Sequence, residues 1–207
     1  MSDPSMSDPS IEIRPGCAED FTDIESVVEA ATRDAFHHPD LTPEQVAENA
    51  WIVSIAQRTC RAALDHPVRR IFVAIDAGRT SSLAGFVIID AKDAALPEID
   101  WLIVAPEFRG RKLPGGNVAQ RLMQAALDWI GSDRPAQLGV IHYNARAIAF
   151  YRKFGFAEAG RRKDKLKIPR TLMIRPAAVC GVRPAFPDGF AGARLLPGEE
   201  RNQWPNP

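Results

Sequence analysis

Apolar residues recur along this chain in two rhythms, every second residue and every third or fourth, and the rhythms mark expected strands and helices. Residues 11–14 read as a short strand, and Phe21, Ile24, Val27, Val28 and Ala31 follow with helical spacing. A second helix is expected at Thr42-Pro43-Glu44-Gln45, with Thr42 as N-cap, Pro43 in the first turn and Gln45 reaching back to the cap. Val46, Ala50, Val53 and Ala56 or Gln57 would continue its apolar face. Two strands at 70–75 and 83–90 read as an antiparallel hairpin with a long connection, and a third run at 99–104 stops before Pro106, which has no N–H for a ladder.

Beyond a glycine-rich loop, Val118, Leu122, Met123, Ala126, Leu127 and Ile130 mark one face of a helix closed by Gly131. The alternation then repeats, with a strand at 137–141, a helix at 144–154 stopped by Gly155, and a last short strand at 172–174. Strands first paired by a hairpin and then separated by helices imply a mixed sheet flanked by helices, an α/β or α+β architecture. The duplicated MSDPS at 1–10 reads as a disordered leader, and the Pro- and Gly-rich stretch 176–207 reads as a tail, which leaves a folded unit at 11–175.

Composition narrows the function classes. The 45% hydrophobic content suffices for a core, and 26 basic residues balance 26 acidic ones, so no global field draws the chain to nucleic acid or anionic membrane. Cys17, Cys60 and Cys180 form no CxxC pair, which argues against a disulfide framework and a structural zinc site and for a reducing compartment. With no apolar run near the roughly 18 residues a span requires and no signal-peptide pattern, a cytoplasmic location is expected.

The most informative segment is 104–119, VAPEFRGRKLPGGNVA, which places Arg109, Arg111, Lys112 and the glycines Gly110, Gly115 and Gly116 between a strand end and a helix start. Unpaired N–H groups at a helix start attract anions, and glycines let backbone close on phosphate oxygens. A nucleotide-hydrolysing loop would need Lys where Gly116 stands and Ser or Thr where Asn117 stands. The spacing of Gly110, Gly115 and Gly116 also fails the dinucleotide G-x-G-x-x-G pattern.

These motifs resemble the GNAT superfamily of N-acetyltransferases. The run EIDWLIVAPEFRG at 98–110 is similar to that family's strand ending in Val-x-Pro and the basic turn after it, and VAQRLM at 118–123 to its following helix. The usual turn leads directly into the helix; here 111–116 lengthens it and Asn117 replaces a glycine. The run VIHYNARAIAFYRKFGF at 140–156 resembles the family's Asn-x-x-Ala followed by Tyr-x-x-x-Gly-Phe. The resemblance implies a mixed, mostly antiparallel central sheet, acetyl-CoA as acyl donor without a metal, and an amine of a small molecule or peptide as acceptor.

It further implies pyrophosphate contacts from the loop and from the N–H groups of Val118 and Ala119, with Arg109 or Arg111 neutralising charge. Backbone of Ile103 and Val104 would run along the pantetheine, Asn144 would touch the cofactor or cap its helix, and the Tyr151 phenol would protonate the departing thiolate. Acyl transfer needs an uncharged amine, hence a base; Glu98 is the first candidate, and Asp100, on the same side of the strand by two-residue alternation, keeps the choice open. A backbone N–H at a bulge expected near 102–104 would polarise the thioester carbonyl. His37, His38, Asp40, Trp51, His142 and Tyr143 are candidate acceptor-lining residues. Related domains commonly pair as homodimers, and a noncatalytic acyl-CoA sensor or a longer-chain acyl donor are the rival readings.

Overall fold

The structure, a computed structural model, describes residues 11–22, 24–36, 38–78, 82–162 and 166–178. The leader at 1–10, His37, Cys180 and the tail from 179 onward lie outside the described residues. Seven strands, β1 (Ile11–Pro15), β2 (Arg69–Asp76), β3 (Ser82–Asp90), β4 (Glu98–Val104), β5 (Ala136–Ile141), β6 (Ala157–Arg161) and β7 (Arg170–Arg175), form one sheet in the order β1-β2-β3-β4-β5-β7-β6. All neighbouring pairs are antiparallel except β4 with β5. The expected mixed, mostly antiparallel sheet is therefore observed.

Among the described residues five α-helices accompany the sheet: α1 (Ile24–Phe36), α2 (Pro43–Ser54), α3 (Ala56–Asp65), α4 (Val118–Ile130) and α5 (Ala145–Arg152). One apolar layer joins the sheet to α4 and α5 through Val118, Leu122, Met123, Ala126 and Ile148, with Ile99 and Leu138 beneath them. The opposite layer joins it to α1 and α3 through Ile24, Val28, Ala56, Cys60 and Ala63, which pack on Val73, Phe86 and Ile88. Alternation along β4 serves both layers: Leu102 and Val104 pack on the α4 side, Trp101 and Ile103 on the α3 side.

Thr42 and Gln45 form the expected capping box at the start of α2. The apolar face read for that helix is corrected, because Val46 and Ala50 are exposed while Ile52 and Ile55 are buried. The helix also ends at Ser54, and α3 starts afresh after Ile55, whose residues Ala56, Cys60 and Ala63 carry the buried stripe. Strand β6 was not expected: AEAGR has no apolar alternation and is held by its pairing with β7.

Candidate active site

The site begins where the sheet opens. Strands β4 and β5 pair only at Glu98 with Gln137 and Ile99 with Leu138. On the other side of β4, Ile89 pairs with Ile99 and Ile88 with Trp101, so Asp100 has no partner and forms a β-bulge. A bulge bends its strand and increases local twist, and this one sits at the residue where pairing to β5 ends. The bulge expected near 102–104 thus lies at Asp100 instead, because the ladder from Trp101 to Val104 is regular.

The regular ladder decides which backbone groups the opening receives. Ala105 N–H donates to Ala84 C=O at 3.0 Å, which makes the neighbouring Gly85–Val104 pair the non-hydrogen-bonded kind. By alternation, Ile103 turns its N–H and C=O toward β3, whereas Leu102 and Val104 turn theirs toward the gap.

At the far end of β4 the loop is more ordered than its composition suggests. Leu113 is buried in the α4 layer and its carbonyl accepts from Gly116 N–H at 3.0 Å, so the segment 111–116 is pinned at its middle. Gly110, Gly115 and Gly116 have φ of 70°, 81° and 100°, a region that disfavours side chains. A Cβ on Gly110 or Gly115 would meet nothing within 4 Å, so one face of the loop is open.

Asn117 is the N-cap of α4, accepting from Gln120 N–H at 3.0 Å while Gln120 Oε1 accepts from Asn117 N–H at 2.9 Å. That box satisfies the third turn residue and leaves the N–H groups of Val118 and Ala119 without an intrahelical acceptor. Arg111 lies exposed over the Phe108 ring at 5.3 Å and Lys112 is exposed beside it. Arg109 donates instead to the carbonyls of Val104, at 3.3 Å, and Ala31, tying the loop to α1.

The two carboxylates of β4 have different surroundings. Both Glu98 oxygens are engaged by Arg162, one of them at 3.1 Å from Nη2. Asp100 Oδ2 is buried without a hydrogen-bond partner. Burial pushes the Asp100 carboxyl up to about 7, Glu98 adds to the shift by repulsion, and Arg162, Arg69 and Arg170 oppose it.

Tyr151, on α5, packs edge-on against Phe150 and Phe156, and burial pushes its phenol up to about 12. Asn144 caps α5, accepting from Ala147 N–H at 3.0 Å. Among the acceptor candidates, the His38 and Tyr143 rings lie 4.8 Å apart and Tyr143 and His142 5.1 Å apart. Sequence reading missed how 167–169 is held: Glu48 accepts from the N–H groups of Lys167 and Ile168 at 2.6 and 2.9 Å, and His142 Nδ1 lies 3.1 Å from Pro169 C=O. It also missed Arg162, which stands in a run of basic residues that reads as solvated surface. Among the described residues no group of His, Cys, Asp or Glu could hold a metal, and no helix is long and apolar enough to cross a membrane.

The sequence model of the acetyltransferase (GNAT) family matches residues 25–156, from α1 to the end of the Tyr151 motif. This chain belongs to that family. No curated protein matches it, but solved structures share its fold. PaiA N-acetyltransferase from Thermoplasma acidophilum, in complex with coenzyme A, is 18% identical with a TM-score of 0.62 over 81% of this chain and 99% of its own. Spermidine N-acetyltransferase from Vibrio cholerae, with CoA and spermine, is 20% identical with a TM-score of 0.58, over 81% of this chain and 95% of its own. Ribosomal-protein-S5-alanine acetyltransferase from Vibrio fischeri is 16% identical with a TM-score of 0.56, over 84% and 97%. The sheet of this chain is thus the one these structures share.

Proposed function

We propose that this chain transfers an acetyl group from acetyl-CoA to a primary amine by direct attack of the amine on the thioester. The observation that carries the reading is the gap opened at the Asp100 bulge, which joins a backbone edge without a strand partner to a carboxyl whose Oδ2 is buried. The Leu102 N–H and C=O and the Val104 N–H suit the amides of a pantetheine, in place of the expected Ile103 and Val104 pair, while the Val104 carbonyl accepts from Arg109. At its end the N–H groups of Val118 and Ala119, which have no intrahelical acceptor, with Gly115, Gly116, Arg111 and Lys112, suit a pyrophosphate. The residues present fit CoA, which supplies the activated acyl group as a thioester.

Of the two carboxylates, Asp100 is the better base. Its Oδ2 has no hydrogen bond to give up, and a carboxyl near 7 can both accept and release a proton at neutral pH. A phenol near 12 stays protonated throughout the working range, so Tyr151 can hold its proton toward the departing sulfur. The acceptor amine would enter past His38, Tyr143 and His142.

Calorimetric titration with acetyl-CoA, desulfo-CoA and ATP, followed by thiol release over a panel of polyamines, amino acids and peptide N-termini, tests the proposal. CoA binding with thiol release is the expected result; binding without release on any amine favours a noncatalytic sensor, and failure to bind CoA overturns the reading. Competition with longer acyl-CoAs sets the donor length. Tyr151→Phe is expected to lower kcat by about 10- to 100-fold with acetyl-CoA affinity unchanged. Equal loss of both would assign Tyr151 to packing.

A further inference from the structure

We propose that Arg162 is a positioning residue that decides which of the two β4 carboxylates takes the proton, by holding Glu98 in an ion pair and leaving Asp100 open. The inference rests on the acetyl-transfer reading above and adds to it a residue from the far arm of the sheet.

Arg162 follows β6, and its N–H donates to Arg170 C=O at 2.9 Å, which fixes its backbone against the start of β7. From there its side chain crosses Gly139 of β5: a Cβ at that glycine would lie 2.8 Å from Arg162 Cδ and 2.9 Å from Nη1. The missing side chain at 139 is therefore what gives the guanidinium its path. Beyond Gly139 it meets both oxygens of Glu98 on β4. The two-point contact joins the arms of the sheet beside the last ladder pairs between them, Glu98 with Gln137 and Ile99 with Leu138.

A planar guanidinium gripping a carboxylate at two points holds both oxygens in place. Two residues on, Asp100 is left with a buried, unpartnered oxygen. The charged or titratable groups acting on it are Glu98 of its own strand, Arg69 of β2, Arg162, Arg170 of β7 and the Cys60 thiol of α3. Arg69 is itself paired with Asp90 of β3 at 2.8 Å. Arg162 is the cation that both pairs with Glu98 and offsets its repulsion of Asp100, so its loss should raise the Asp100 titration and free the Glu98 oxygens from their ion pair.

The test follows side-chain carboxyl 13C signals of labelled Asp and Glu through a pH titration, with Asp100 assigned from Asp100→Asn. Arg162→Gln should move the Asp100 midpoint up by about one pH unit or more, and Arg162→Lys, which keeps the charge, should move it less. Gly139→Ala, which blocks the path without touching either charge, should shift it in the same direction and serves if Arg162→Gln does not fold. A midpoint unmoved in both Gly139→Ala and Arg162→Gln, or an Asp100 that titrates in the ordinary carboxylate range in the unaltered protein, overturns the proposal. Acetyl-CoA affinity measured on the same samples should stay unchanged. An unaltered protein that binds no CoA would overturn the acetyl-transfer reading, and Asp100 as base with it, whereas the coupling of Arg162 to Asp100 is decided by the titration alone.

Discussion

Asp100→Asn is expected to lower kcat for acetyl transfer by about 10²- to 10⁴-fold, the usual worth of a positioned base, with acetyl-CoA affinity unchanged. The amide keeps the size of the carboxyl and its place in the bulge but has no lone pair basic enough to take a proton. With the carboxyl near 7, kcat of the unaltered protein should rise with pH and level off above that value, and the variant should lack this limb. A variant of undiminished kcat would return the base to Glu98 or to a water.

The same substitution should raise stability, and the sign follows from linkage. Asp100 is held well above the ordinary value near 4, so the folded protein binds more protons than the unfolded chain between about pH 4 and pH 7. Stability from this group therefore falls as pH rises through that window, and the full penalty, at most about 4 kcal/mol, is present above pH 7. Asn cannot ionise and avoids it. Melting temperatures at pH 4.5 and pH 8 should show the variant ahead chiefly at pH 8; an equal difference at both would mean that Asp100 ionises normally in the fold. Loss of rate joined to gain of stability is the expected mark of a group kept for chemistry at a cost to the fold.

Most of the sheet and the place of the loop could be read from the sequence because both depend on local pattern. The run to Val104, the stop at Pro106 and the apolar face of Val118 to Ile130 are one-strand or one-helix properties, and the structure has them where expected. The Asp100 bulge is a property of two strands: the alternation of 98–104 looks unbroken, and only the register against Ile88 and Ile89 shows the extra residue. Arg162 and Glu48 were hidden for a similar reason, since each acts on a partner 64 or about 120 residues away. Two signals were present but unread: Leu113 is the one large apolar residue in a basic and glycine-rich loop, and Asn117-x-x-Gln120 is a capping pattern. Together they explain how the loop delivers its glycines to the start of α4.

Gly85→Ala tests the backbone side of the site and should do the reverse of Asp100→Asn to stability. Gly85 of β3 faces Val104, and a Cβ there would lie 2.5 Å from the Ile103 carbonyl oxygen, 3.2 Å from Val104 Cα and 3.3 Å from Leu122 Cδ1. The first two neighbours are backbone and cannot rotate away, while Leu122 is fully buried in the α4 layer. One methyl group must therefore push β4 off β3 over the residues whose far edge lines the gap, or push α4 off the sheet. Overpacking of this kind costs about 1–3 kcal/mol, to be read as a lower midpoint of urea unfolding. Because the edge at Leu102 and Val104 and the start of α4 move with it, acetyl-CoA affinity should fall by at least tenfold, in contrast to Tyr151→Phe and Asp100→Asn. A Gly85→Ala protein that binds acetyl-CoA normally despite lower stability would detach cofactor binding from the β4 edge and leave the loop at 110–119 as its main determinant.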